Sequence, residues 1–229
     1  MKLLSIDTSI MVSGCTISED GNIIGDYNVN QEKTHSESLV PMVNRLLNDL
    51  GIKLKDIDIY AIGVGPGSFT GLRIGMTTVK TFAQVFNKPV VAVSTLEALA
   101  HNINKEGIIL SLLDARGGRT YYGIFKRENG KLVRIEKDEL DYMDELVKRL
   151  IGKYDSITVV GEYTEDSEKL LNKISNISYV SKSLNNLIAR SICDLAYEKY
   201  LLNETEDYRD ILPNYVRKSQ AQRDLEKRK

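Results

Sequence analysis

The chain has 229 residues, 42% hydrophobic and 28% charged, a balance that excludes a disordered or fibrous polypeptide and fits one large globular domain or two small ones. Lys and Arg total 31 and Asp and Glu 32, leaving a net charge of −1, so no global field is available for gripping a polyphosphate unaided. Apolar runs such as Val90–Val93 fall far short of the ~20 residues that span a bilayer, and Met1 leads into a strand pattern rather than a signal peptide, so a cytoplasmic protein with no membrane segment is expected.

Strands are predicted over residues 2–7, 11–18 and 22–29, the last two joined by Asp20-Gly21, a hairpin signal because glycine tolerates positive φ. Thr34-x-x-Glu37 has capping-box spacing and opens a helix with Leu39, Val43, Leu46 and Leu50 at helical intervals. Pro41 lies inside this pattern, so the helix either starts after Thr34 or kinks, and Gly51 stops it. A buried strand over 57–64 leads through a glycine-rich turn into a helix over about 70–86, followed by a strand at 89–93 and a short helix from Ser94. The pattern then restarts with strands at 108–114, 120–126 and 132–137, the last after Asn129-Gly130. Helices near 141–151 and 166–173 flank a strand at 156–160, a long helix covers 185–202, and 213–229 is a charged tail.

Three strands, the first ending in a carboxylate (Asp7, then Asp114), therefore occur twice, about a hundred residues apart. Two pseudo-repeated α/β subdomains follow, at 1–104 and 105–229, each needing crossover helices to cover a partly parallel sheet. Cys15 and Cys193 have no metal-type spacing and read as buried, reduced thiols.

Residues 62–75, from Ile62 to Gly75, hold five of the sixteen glycines. Neither the dinucleotide spacing nor a Gly-Lys-Ser/Thr is present, so the turn is a weak phosphate signal. Gly67, Gly71 and Gly75 are four apart, and because an interior helical glycine costs about 1 kcal/mol, the spacing implies a close backbone approach. The helix is polar only along Arg73, Thr77, Lys80 and Gln84, while Leu72, Met76, Val79, Ala83 and Phe86 form an apolar arc widened by Ile74, Thr78 and Val85. The preceding helix has a similar excess in Val40, Met42 and Leu47. Two readings fit: the helices pack on each other and on the sheet, or they carry a partner-binding face.

The two histidines, His35 and His101, form no helical pair, and no cysteine cluster assists them, which argues against a catalytic metal site. Ser68 lies outside a Gly-x-Ser-x-Gly elbow and has no nearby His as base, and a peptidase reading fails for want of a ligand set or a nucleophile–base pair. His35 is expected in the first helical turn, exposed or capping. Asp7 and Asp114 read either as strand-end carboxylates bonded to nearby amides or as a pair holding a hydrated cation. Arg116 and Arg119 flank two glycines in a turn, a candidate phosphate contact. Arg217, Lys218, Arg223, Lys227, Arg228 and Lys229 form a basic cluster suited to a solvated tail, an RNA backbone or an acidic surface.

Ile6-Asp7-Thr8-Ser9, His35-Ser36 with Leu39 and Pro41, the block from Gly63 to Gly75, Ser94-x-Leu96-Glu97-Ala98-Leu99, Asp114-Ala115-Arg116 and Pro213-x-Tyr215-x-Arg217 together resemble the TsaB (YeaZ) family of bacterial tRNA threonylcarbamoyladenosine (t6A) biosynthesis. Arg119 departs from the pattern, since many relatives carry an acidic residue after the Asp-Ala-Arg turn. The resemblance implies an α/β actin/sugar-kinase-like (ASKHA) fold of two ribonuclease-H-like subdomains that has lost its nucleotide and metal residues. It implies a scaffold with no catalytic residue, cofactor or metal of its own, which activates a TsaD-like transferase, is joined by a TsaE-like ATPase, meets tRNA only through the complex and forms a homodimer when alone. The first two helices would supply the interface, with Leu39, Val43, Leu46, Gly71, Gly75, Met76 and Val79 as expected contacts, and Asp7 and Arg116 as nucleotide or RNA contacts. The competing expectation is an active ATP-dependent phosphotransferase or ATPase of the same superfamily, using Asp7 and Asp114 with Mg²⁺.

Overall fold

The computed structural model describes residues 1–30, 35–186 and 188–216. The Thr34 cap and the basic tail from Arg217 to Lys229 lie outside the described residues. In chain order the elements are β1 (Lys2–Asp7), β2 (Val12–Glu19), β3 (Asn22–Asn30), α1 (His35–Asp49), β4 (Ile59–Gly65), α2 (Phe69–Phe86), β5 (Val90–Ser94) and α3 (Thr95–His101). They continue with β6 (Gly107–Asp114), β7 (Arg119–Glu128), β8 (Lys131–Tyr142), α4 (Met143–Leu150), β9 (Ile157–Gly161), α5 (Glu165–Leu171), β10 (Ile177–Tyr179) and α6 (Ile188–Leu201).

The strands form two five-stranded sheets ordered β3-β2-β1-β4-β5 and β8-β7-β6-β9-β10. In each, the first strand is central, antiparallel to the hairpin on one side and parallel to the crossover strand on the other. The predicted repetition is therefore present as topology. Both hairpins turn on two left-handed residues, Asp20 (φ 50°) with Gly21 (φ 79°) and Asn129 (φ 54°) with Gly130 (φ 75°), the backbone that a two-residue turn between twisted strands requires. Pro41 lies inside α1, whose described part begins at His35.

Helices α1 and α2 cover the outer face of the first sheet through Leu39, Val43, Leu46, Met76 and Val79, and α4 and α5 cover the outer face of the second. Helices α3 and α6 lie between the sheets, where one continuous core joins Leu3, Val91 and Val93 to Leu96, Ile192, Ile109, Phe125 and Val160. Both cysteines are buried free thiols, and burial pushes Cys15 up to about 12 and Cys193 up to about 11.

The C-terminal elements also make contact with the first sheet. Helix α6 returns to the first sheet, where Ser5 Oγ donates to the Ala189 carbonyl at 2.7 Å and Cys193 Sγ lies 3.2 Å from Ser18 Oγ. The chain after it runs as a strap along the β5 edge: Glu206 and Val90 exchange backbone hydrogen bonds of 2.8 and 3.0 Å, Ile211 is buried, and the Asn214 amide donates to Val64 at 2.7 Å. An otherwise open sheet edge is thereby covered. Two further differences are local. Strand β8 continues to Tyr142 rather than stopping at Lys137, and β10 is a three-residue strand that the sequence pattern does not announce.

Candidate functional site

The central strands β1 and β6 both end in carboxylates, but their surroundings differ. Asp7 is 1% exposed; its Oδ2 accepts from Ser9 Oγ at 2.9 Å and from the Ser9 amide at 3.3 Å, while its buried Oδ1 has no partner. Burial pushes the carboxyl up to about 7, with a small contribution from the charge of Glu162, against the opposing pull of the Ser9 hydrogen bonds. The loop after Asp7 is clamped under α2. Thr8 Oγ1 donates to the Gly71 carbonyl at 2.7 Å, and the Ser68 amide donates to the Ser9 carbonyl at 2.7 Å.

This clamp accounts for the glycine spacing. A Cβ at Gly67 would strike the Ser9 carbonyl oxygen, one at Gly71 the Thr8 carbonyl oxygen, one at Gly75 the Thr8 hydroxyl, and one at Gly63 the Asp7 carboxylate. The close approach inferred from the sequence is real, and it is made to the chain's own β1–β2 loop.

The expected contact residues lie on the inner side of the two helices. Leu39, Val43, Leu46, Gly71, Gly75, Met76 and Val79 are all buried within this chain, forming the inner stripes of α1 and α2 against the sheet. The apolar excess that remains on these helices lies on other residues: Val40 is 50% and Val85 67% exposed, with Ile74, Phe82 and Phe86 half-buried. Between the helices runs a groove of about 300 Å³ walled by Val40, Val43, Leu47, Ile52, Leu54 and Phe82, with Asn44 and Asn48 along it.

A cleft of about 480 Å³ opens between the two sheets' ends. Ser9, His35, Ser68 and Phe69 line it from the first unit, and Asp114, Arg116, Tyr121 and Glu162 from the second. Asp114 is exposed there and accepts the Arg116 amide at 2.9 Å, the turn being made by Arg116 at φ 60°. Asp7 is not on the cleft wall, so the expected pair of carboxylates does not face a common space. Glu162, absent from the sequence-based candidates, faces Asp114 instead, and its carboxyl is held above the ordinary range first by burial and then by Asp114's charge. The signal that would have found it is its place just after β9, the same strand-end rule that selected Asp7 and Asp114. His35 begins α1 and lines the cleft with its Nδ1 buried and unpartnered, rather than capping. Arg119 points its guanidinium over the Tyr142 ring, 5.7 Å from the centroid. Among the described residues no group of three or more His, Cys, Asp or Glu is placed to hold a metal ion, and no helix is long and apolar enough to cross a membrane.

A family model described as TsaD, tRNA N6-adenosine threonylcarbamoyltransferase, matches residues 22–222. The tRNA threonylcarbamoyladenosine biosynthesis protein TsaB of Bacillus subtilis is 30% identical over 97% of this chain and 96% of its own length. The protein of the same name from Escherichia coli is 32% identical over 64% of each chain. Among solved structures, YeaZ from Pseudomonas aeruginosa superposes with a TM-score of 0.77 at 23% identity, covering 93% of this chain and 99% of that one. Component A of the (R)-2-hydroxyglutaryl-CoA dehydratase of Acidaminococcus fermentans gives a TM-score of 0.51 at 11% identity, over 88% and 99%. At these identities the likeness concerns the fold, which is the α/β actin/sugar-kinase-like one, built from two ribonuclease-H-like units as expected.

Proposed function

The chain belongs to the TsaB family and takes part in tRNA threonylcarbamoyladenosine biosynthesis, and from that premise we propose that it acts there as a non-catalytic scaffold, docking a TsaD-like transferase through the outer face of α1 and α2. The observation that carries the reading is the apolar surface left on that helix pair after the sheet has been covered. Val40, on the groove wall, and Val85, near the end of α2, both stand in solvent. Two adjacent helices with apolar residues on both faces have one face more than their own sheet needs. The state of Asp7 supports a scaffold over a catalyst: its carboxyl is bonded to Ser9, buried on the side of the sheet that α6 covers, and absent from the cleft wall.

On this reading the protein is cytoplasmic, a TsaE-like ATPase joins the pair, tRNA is met through the complex, and the same helix face pairs two copies when no transferase is present. The test is calorimetric titration with a purified TsaD-family subunit. Val40→Asp and Val85→Asp each weaken association by about tenfold or more, as expected for a charge placed in a buried interface core, while exposed positions leave the monomer's melting temperature unchanged. Undiminished binding by both variants removes the interface from this face.

The competing reading, an ATP-dependent phosphotransferase, draws on the cleft, which is large enough for a small ligand and has Asp114 and Arg116 on its wall.

A further inference from the structure

The two units share a core at their base, yet a second, polar connection joins them beside the cleft. It centres on Asp138 of β8, whose side chain is 6% exposed. Its Oδ2 accepts from Ser94 Oγ, at the end of β5 in the first sheet, at 2.6 Å. The same oxygen lies 3.5 Å from Asn214 Nδ2, on the strap whose backbone is bonded to Val64 of β4. Its Oδ1 is paired with Arg134, which reaches on to Glu97 of α3 at 3.2 Å and lies over the Phe125 ring at 4.6 Å.

Each bond is directed by its neighbours. Ser94 caps α3 by accepting the Glu97 amide at 3.3 Å, so its single hydroxyl proton is left to donate, and a carboxylate is the strongest acceptor for it. Gly123 on β7 leaves the space that Asp138 fills, since a Cβ there would lie 3.1 Å from Oδ1. The strap is itself pinned where the cleft begins: Tyr215 stacks on Phe69 with centroids 4.5 Å apart, and its hydroxyl oxygen accepts from Arg73 Nε at 3.0 Å. Phe69 lines the cleft from the first unit and Tyr121, two residues before Gly123, from the second.

We propose that Asp138 is an interlobe latch, binding the end of β5 and the C-terminal strap to β8 so that the cleft is held at one opening. Any rotation that opens the cleft about the shared core must break the Ser94 bond and pull the strap from β8. The rupture is costly, because a nearly buried carboxylate oxygen, Oδ2, would lose its partners while Oδ1 stays with Arg134.

The test uses spin labels on Met11→Cys at the cleft rim of the first unit and Glu165→Cys at the exposed start of α5 in the second, both native cysteines being buried. The latched protein gives a narrow interspin distance distribution, and Asp138→Ala broadens it and shifts it to longer distance. In the same variant, exchange protection of the Asn214 amide falls by about tenfold, the change expected for losing one charge-assisted hydrogen bond. The pair Ser94→Ala with Asn214→Ala removes the same connections while keeping the Asp138–Arg134 pair, and it decides the matter if Asp138→Ala fails to fold. Asp141→Ala, on the same strand, loses only bonds within the second unit, to Arg149 of α4 and to the Tyr142 amide, and leaves the distribution narrow. An unchanged distribution in the folded latch variants, or equal broadening by Asp141→Ala, overturns the proposal.

Discussion

Substituting Gly71 by alanine separates the two meanings of the glycine stripe. In an exposed helix interior the change gains about 1 kcal/mol of helix propensity. Here the added Cβ meets the Thr8 carbonyl oxygen, which is backbone held between β1 and β2 and has no rotamer by which to yield. Overpacking of this kind costs about 1–3 kcal/mol. Displacing α2 also strains the 2.7 Å bond from Thr8 Oγ1 to the Gly71 carbonyl, a buried contact worth about 0.5–1.5 kcal/mol. The net effect is a destabilisation of about 2 kcal/mol, which in a chain of this size lowers the melting temperature by about 4–8 °C. Differential scanning calorimetry of the isolated chain reads this directly, with Thr77→Ala on the exposed face of α2 as the control that leaves the transition in place. If Gly71→Ala matches or exceeds the wild-type melting temperature and yet abolishes binding to a TsaD-family subunit, the stripe serves a partner and the intramolecular account is wrong.

Two other outcomes follow from the strand-end carboxylates. The folded Asp7 carboxyl keeps its proton to about pH 7, whereas the unfolded chain releases it near the ordinary value of 3.8. Between those values the native state binds more protons than the unfolded state, so this group makes stability fall as pH rises from about 4 to 7 and contributes no slope outside that window. Urea unfolding of Asp7→Asn, which keeps the side chain neutral, therefore shows an advantage over wild type that grows across this range; parallel pH profiles would contradict the buried, protonated assignment. For the cleft, the purified chain shows no ATP turnover that depends on Asp114, and phosphate release that is lost in Asp114→Asn would instead favour the phosphotransferase reading.

What was legible in the sequence was what is encoded locally. Asp20-Gly21 and Asn129-Gly130 specify their hairpins because two successive left-handed residues leave the chain little else to do. The crossover helices and parallel strands follow from periodicity, and the carboxylates at the ends of β1 and β6 mark the repeat. The destination of a surface is not encoded in the same way. Spacing of four among Gly67, Gly71 and Gly75 states that a backbone comes close, but the identity of that backbone depends on the β1–β2 loop lying across α2. Helix α6 was visible as a helix, but not as one that leaves the second unit; Ile188, Ala189, Ile192 and Ala196 are buried because sheets lie on both sides of it. Strand β10 is too short for any pattern to develop, and the second half of β8 is hidden by the polar run Glu136, Lys137 and Asp138, in which Glu136 pairs with Lys153 and Asp138 with Ser94 elsewhere in the fold.

The separation of inner and outer residues on α2 also governs how association data can be interpreted. Gly75 and Met76 face the sheet and the Thr8 loop, so a bulky residue at Gly75 must displace the helix or the Thr8 side chain before it can affect any second protein. Loss of binding by such a variant would report a shifted α2, with Ser68 and Phe69 at the cleft carried along by the helix they begin. Val85, 67% exposed on the same helix, has no such internal route. Only at positions like this one, where the melting temperature stays fixed, does a change in affinity locate a contact.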